Sequence, residues 1–413
     1  MSEILLDLGE LYVSDFLTDI SSDYEGRQKD CLTLVMDEQI GAARLTQAVD
    51  PDKMYGTYWY RSGTNASMTN QLKNIAEEVS SRVRYSKDDL WLDIACNDGT
   101  MFNFIPEEFI KIGIDPVEDS FLEFSSQLAD VVVQDYFSQA AYQRTGYGNK
   151  QCKVITTIAM FYDLDDPTDF IEDVKKILDD NGVWVIQISY TPLMLKQMAF
   201  DNICHEHVYY HSLSSIKKLM EPHGFKIVDC SLNDTNGGSC RIYLQKDIAK
   251  ETSFGTTPLR DVCNFRVKSL LAYEKEHMDI SDPKVWFDFY EKLEKMKSQT
   301  VDFIRSETAK GKTVYGYGAS TKGNTLLQYY GLTTDDIIAI AERSPQKFGK
   351  FVVGTNIPII SEKEMRAATP DYLLVLPWHF IKEFVERELD FLNNGGKFIV
   401  PCPEFEIIGK QNG

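Results

Sequence analysis

Short apolar runs bounded by turn residues recur through the middle of the chain: LWLDIA (90–95), IKIGID (110–115), VVVQDY (131–136), KVITTIAMF (153–161), VWVIQISY (183–190) and RIYLQ (241–245). Runs of this length, bounded in this way, predict buried strands. Segments with helical spacing lie between them. Residues 68–83 predict an amphipathic helix. PTDFIEDVKKILDDNG (167–182) predicts another, with Pro at its start and Gly at its stop. Strands alternating with helices imply βαβ units and a mainly parallel sheet. Residues 249–310 are charged and helical in pattern and read as a connector. KTVYGYGAS (312–320) then opens a second βα series, whose later strands are DIIAIAE, YLLVLPW and KFIVPCP. The first 55 residues carry short mixed segments with no strong period and read as a small N-terminal domain. The expected fold class is α/β, with parts at 1–55, 56–248, 249–310 and 311–413.

Composition narrows the function. The chain has 413 residues and a formal charge of −20. That charge argues against a nucleic-acid partner, because phosphate-backbone binding rests mainly on Lys and Arg. It leaves room for an anionic small ligand in a locally basic pocket. No run approaches the ~18 to 20 apolar residues of a membrane span. MSEILLDLGELYVSDF has neither the basic nor the apolar region of a secretory signal. A cytoplasmic protein without a membrane partner is expected, either monomer or homodimer. The eight cysteines form no C-x-x-C pair. They read as reduced, small buried hydrophobes.

The first unit carries chemistry at its first turn. LDIACNDGT ends a strand in Asp93, Ala95, Asn97 and Gly99 and leads into a helix. A small-residue turn there lets a ligand approach the backbone and the helix N-terminus. Asp115 ends the next strand, where an acid can take both hydroxyls of a ribose. Asp135 follows at the place where an adenine amino group is read. The nucleotide is NAD or S-adenosylmethionine. An acidic loop with Gly99 as its one glycine suits a sulfonium and an amino-acid tail better than two phosphates.

DNICHEHVYY (201–210) holds two of the six histidines in the chain. His205 and His207 share a face if extended. Sequence offers no evident third metal ligand, and H-E-x-x-H is absent, so no metal is expected.

Seven motifs stand in order: YWYRSGTNASM, LDIACNDGT, GIDP, ICHEHVYYHSL, NGGSCRIY, YGYGASTKGNTLLQ and LPWHF. Together, over roughly residues 54–410, they resemble the nucleotide-sugar C-methyltransferases, which methylate keto-deoxysugars on a nucleoside diphosphate. The resemblance implies a class I methyltransferase domain using S-adenosylmethionine, after a small N-terminal domain. A C-terminal Rossmann-like domain then helps hold a nucleoside-diphosphate sugar. Members usually carry four zinc cysteines at the N-terminus. This chain has Cys31 alone there, so no zinc is expected. Met160 and Cys204 stand where many members have His and Tyr.

The implied reaction needs a base for a proton next to a ketone, and histidine suits that at neutral pH. His207 is the first choice and His205 the second. Glu206 would orient an imidazole or bind a sugar hydroxyl, and Tyr209, Tyr210 and His211 would donate to the sugar. Arg241, after Gly237 and Gly238, would meet a phosphate. Lys322, with Ser320 and Thr321, would cradle an anion. Glu342 would hold a ribose hydroxyl and His379 would face the pocket, while Trp378 reads as core. Tyr58, Tyr60 and Ser62 would cover the methyl donor. Carbon methylation is the expected activity. The alternatives are a binding protein that has lost methyl transfer, an O-methyltransferase or a dehydrogenase.

Overall fold

The computed structural model describes residues 3–22, 24–50, 54, 61–64 and 66–410; Tyr58 and Tyr60 lie outside them. The N-terminal strands are β1 (Ile4–Tyr12), β2 (Phe16–Leu17), β3 (Lys29–Asp37) and β4 (Ala42–Leu45). The middle of the chain supplies β5 (Leu90–Ile94), β6 (Ile110–Ile114), β7 (Val131–Val133), β8 (Cys152–Ile158), β9 (Leu178–Ser189), β10 (Tyr209–Tyr210), β11 (Phe225–Asn233) and β12 (Ser239–Lys246). The last part supplies β13 (Val314–Tyr317), β14 (Ile340–Glu342), β15 (Phe351–Val352), β16 (Ile359–Ser361), β17 (Tyr372–Val375), β18 (Lys397–Val400) and β19 (Glu406–Ile408).

The central sheet has the order β11-β12-β9-β8-β5-β6-β7, and β5, β6, β7, β8 and β9 run parallel. Every residue of β5 is buried. Strands covered on both faces read as continuous apolar runs, which is why they were visible in the sequence. Two exceptions to apolarity have a purpose. Thr156 and Thr157 on β8 accept the indole N–H groups of Trp91 at 3.1 Å and Trp184 at 3.0 Å, so both large rings bury with their donors satisfied. β12 returns antiparallel between β9 and β11. The edge strand β11, half polar, was not expected from the pattern.

Helix Pro167–Ile177 starts where Asp166 accepts the amide of Thr168 at 2.9 Å. It buries Phe170, Ile171, Val174 and Ile177 at helical spacing. It stops at Ile177, short of the expected Gly182, because residues 178–182 join β9. A Cβ on Gly182 would come within 3.0 Å of the carbonyls of Asp179 and Lys153, so the strand needs glycine there.

The C-terminal sheet, β16-β14-β13-β17-β18-β19, is parallel except for β19. Two long helices, Thr257–His277 and Pro283–Thr308, connect the central sheet to it. The N-terminal sheet has the order β1-β3-β4-β10. Its last strand comes from the H-E-H segment, with Tyr209 opposite Arg44 and Tyr210 opposite Ala43. β2 in turn pairs with β15. One apolar cluster runs from Leu5 and Leu34 through Phe200 and Trp286 to Leu374 and Phe398. The H-E-H segment therefore sits where all three sheets meet. No helix among the described residues is long and apolar enough to cross a membrane.

Candidate active site

A cavity of about 920 Å³ opens at this junction. Its walls come from the C-terminal ends of β5, β6, β8 and β9, from residues 12–15 and 25–28, from Asn202, Glu206 and His207, and from Ser320, Thr321, Lys322, Pro377, His379 and Phe380.

One end is built by the turn after β5. Ala95, Asn97 and Gly99 all have left-handed backbones, with φ of 59°, 53° and 74°. A Cβ on Gly99 would meet Ser125 Cα at 2.8 Å, so glycine alone fits. Asp115, at the end of β6, holds the turn. Its Oδ2 accepts the Asn97 amide at 2.7 Å and its Oδ1 the Val117 amide at 3.0 Å. Burial raises its pKa against those bonds. Asp93 accepts from Thr156 Oγ1 at 2.6 Å. Burial pushes it to about 7 against that bond, with Asp115 adding to the rise. Ser62 joins the same wall, with its amide on Asn97 Oδ1 at 3.0 Å. Asp93, Ala95, Asn97, Asp115 and Ser62 are thus brought together. Gly99 supports the turn from behind. Asp135 is elsewhere: it pairs with Arg144, and its neighbours Tyr136 and Phe137 face the cavity. These residues fit S-adenosylmethionine. The lining offers a carboxylate, Asp115, that could hold a ribose, aromatic side chains that could flank a flat base, and acids suited to a sulfonium.

The H-E-H motif divides. His207 faces the cavity. Its Nδ1 lies 2.7 Å from the carbonyl of Asn202 and therefore carries the proton, and Tyr162 packs edge-on at 4.6 Å. Nε2 is left as a lone pair with no partner among the described residues. Burial first and the charge of Lys322 second lower the His207 pKa to about 3, against the bond to Asn202. His205 turns the other way, with Nε2 3.0 Å from the carbonyl of Asp30. Tyr209 is used by Arg44 and Asp37, and its ring stacks on His211. Tyr210 is buried against Trp286. Neither tyrosine nor His205 lines the cavity, because pairing with β4 commits this stretch to the N-terminal sheet.

Glu206 lines the cavity, and burial raises its pKa while Lys322 opposes the rise. Cys204, Glu206 and His207 each offer a ligand atom, all within 4.8 Å of one another. The fold thus supplies the third ligand that sequence did not show. Lys322 acts electrostatically on all three groups, so a protein cation already stands beside them. Burial pushes the Cys204 thiol well up, which keeps it protonated.

Lys322 donates from its Nζ to Asn202 Oδ1, and Asn202 also holds His207. It leaves the first turn of helix Thr321–Tyr330, which Ser320 caps through the Gly323 amide at 2.9 Å. The Ser320 amide itself is spent on the Gly318 carbonyl at 3.1 Å. His379 lines the cavity, with its pKa lowered by burial and then by Lys322 to about 4. Trp378 is buried, and its indole reaches Asp201 Oδ2 at 3.2 Å.

Two expected substrate residues are committed elsewhere. Arg241 is 2% exposed and pairs with Glu78, so no phosphate can reach it. Glu342, unlike Asp115, does not line the cavity, and its oxygens accept the amides of Ala319, Arg343 and Ser344. Several wall residues went unread: Asn202, Tyr162, Gln187, and the segment 12–15 with Arg27. Asn202 adjoined a recognised motif. The segment 12–15 carries no local signal, since its partners are some 300 residues away.

Comparison with known proteins agrees with this architecture. Residues 69–229 match the family described as methyltransferase domain, and residues 234–403 match the C-methyltransferase C-terminal domain. The chain is 28% identical to C-methyltransferase NovU of Streptomyces niveus over 377 residues, which is 89% of this chain and 85% of that protein. Solved structures resemble it distantly. Magnesium protoporphyrin IX methyltransferase (ChlM) of Synechocystis PCC 6803 with bound SAH is 12% identical, with a TM-score of 0.34 over 47% of this chain and 91% of that one. N-methyltransferase NodS of Bradyrhizobium japonicum WM9 is 15% identical, with a TM-score of 0.32 over 44% and 94%. The two family matches lie end to end across the central and C-terminal sheets, and the chain is an S-adenosylmethionine-dependent C-methyltransferase.

Proposed function

We propose that the acceptor is a keto-deoxysugar on a nucleoside diphosphate, and that the methyl goes to the ring carbon next to the ketone. In this reading residues 56–248 hold the methyl donor and residues 311–413 hold the nucleotide. The single observation that carries the proposal is the state of His207: a neutral imidazole, fixed through Nδ1, with Nε2 open to a cavity that also receives a lysine.

S-adenosylmethionine supplies an electrophilic methyl group when bound. A carbon beside a ketone becomes nucleophilic only when it loses a proton. His207 Nε2 is placed to take that proton, and its depressed pKa keeps it unprotonated at neutral pH. Lys322 offers a positive charge for the enolate oxygen that develops. Met160 lines the cavity but has no proton to exchange, and the raised Cys204 thiol is a poor base. Glu206 and His379 also line the cavity, and His207 is preferred as the base because the Asn202 carbonyl fixes its Nδ1 and leaves Nε2 open. Among the described residues Arg27, paired with Asp15, and Lys322 are the cationic side chains on the wall, and they favour the diphosphate on the side facing residues 12–28 and 320–322. Asp115 would hold the donor's ribose, with Tyr136 and Phe137 beside its base.

The test is incubation with methyl-labelled S-adenosylmethionine and a panel of nucleoside-diphosphate keto-deoxysugars. Label bonded to a ring carbon is expected. Label on oxygen, or none on any sugar, would sink the proposal.

A further inference from the structure

Gln187 lies near the end of β9 on the cavity wall and is 2% exposed. Three donors converge on its Oε1: Gln71 Nε2 at 2.8 Å, Asn233 Nδ2 at 3.2 Å and Arg241 Nε at 3.4 Å. Gln71 could present its oxygen instead if turned over, whereas Asn233 Oδ1 is held by the Thr235 amide at 3.1 Å. A guanidinium has no acceptor, so Arg241 decides the orientation. Arg241 is itself held. It pairs with Glu78 and donates to Asn74 Oδ1 at 3.0 Å, while Glu78 also takes Tyr243 Oη at 2.7 Å. The oxygen of Gln187 must face this network, and its NH₂ must face away. That NH₂ donates to nothing among the described residues.

The NH₂ opens on the cavity, where water or a ligand oxygen can accept from it, and the fixed Oε1 leaves it no other direction. Its partner must be an oxygen. We infer that Gln187 donates a hydrogen bond to an oxygen of the acceptor sugar, and so selects acceptors with a carbonyl or anionic oxygen at that point. The alternative oxygen is the carboxylate of the methyl donor. Position argues against it. β9 lies three strand spacings from β6, roughly 14 Å across the sheet. That is farther than a donor with its ribose on Asp115 extends to its amino-acid tail. On the wall Gln187 has Ser239 on one side and Ala159 and Met160 on the other. The inference rests on the acceptor proposed above.

Gln187→Glu isolates the claim. A carboxylate keeps an oxygen for all three donors, turns the outward atom from donor to acceptor, and adds a negative charge that Arg241 faces. The full-length variant should keep its melting midpoint and its affinity for S-adenosylhomocysteine by calorimetry. Its kcat/KM for the keto-sugar should fall roughly 10²- to 10³-fold, the usual cost of one oxyanion donor. Part of the loss should return at low pH, where the carboxyl regains a proton to donate. Gln187→Met, with neither group, should lose turnover without that recovery. Unchanged turnover in Gln187→Glu would overturn the inference. So would a tenfold loss of S-adenosylhomocysteine affinity with acceptor kinetics intact, which would assign the NH₂ to the donor's carboxylate. A wild-type enzyme that methylates no keto-sugar would remove the acceptor reading and this inference with it. That failure is read in the wild type alone, the others only in the variants.

Discussion

Asp115→Asn should weaken methyl-donor binding by an amount that follows from its two oxygens. Oδ2 holds the Asn97 amide and Oδ1 holds the Val117 amide. Asparagine has one acceptor oxygen, so one amide loses its partner. The negative charge offered to a ribose goes as well. Hydrogen bonds to charged groups contribute about 1.5 to 3 kcal/mol each. Loss of one from the ligand means roughly 10- to 100-fold weaker binding, and Asp115→Ala, which also frees the second amide, should lose at least as much. The assay is calorimetry with S-adenosylhomocysteine, with melting curves to show that the fold persists. The pH dependence has a definite sign. Burial raises the Asp115 pKa, so the carboxylate is lost at a higher pH than a surface acid would be. Affinity should therefore drop as the pH falls from neutral through the raised pKa. Equal affinity in wild type and both variants, at all pH values, would refute the placement of the donor on this turn.

Two further outcomes come from charges. Glu78→Ala takes a carboxylate from Arg241 and Arg82, which are 2% and 9% exposed. Breaking a buried pair should cost about 3 kcal/mol in urea unfolding, and a loss under about 1 kcal/mol would mean the guanidiniums find other partners. Lys322→Met removes a charge that lowers the His207 pKa, so the acid limb of activity should move up toward the ordinary histidine range. An unmoved limb would separate Lys322 from the base.

The parallel strands and the turn after β5 were legible because both are local. A strand buried on two faces needs a continuous apolar run, and the acids that end β5 and β6 lie within those runs. What escaped depends on partners far along the chain. Nothing near Arg241 announces Glu78, 163 residues earlier, so a basic residue after two glycines read as a phosphate ligand. Asp135 read as the residue that meets an adenine amino group, but it pairs with Arg144, and Tyr136 and Phe137 line the cavity instead. Sequence ranked His207 ahead of His205 as the base but gave no geometry to separate two histidines one residue apart. The carbonyls of Asp30 and Asn202 divide them, and of the two histidines His207 lines the cavity while His205 does not. The N-terminal strands gave no hint that Tyr209 and Tyr210 would complete their sheet.

Whether His207 takes the proton is read most directly by deuterium exchange at the carbon next to the ketone, with S-adenosylhomocysteine in place so that no methyl can transfer. Deprotonation needs the base and a held oxygen, not the methyl group. Wild type and His205→Ala should exchange that proton with solvent, and His207→Ala should be slower by roughly 10²- to 10⁴-fold while still binding the nucleotide-sugar. Full exchange in His207→Ala, or its loss in His205→Ala alone, would contradict the assignment of His207 as the base.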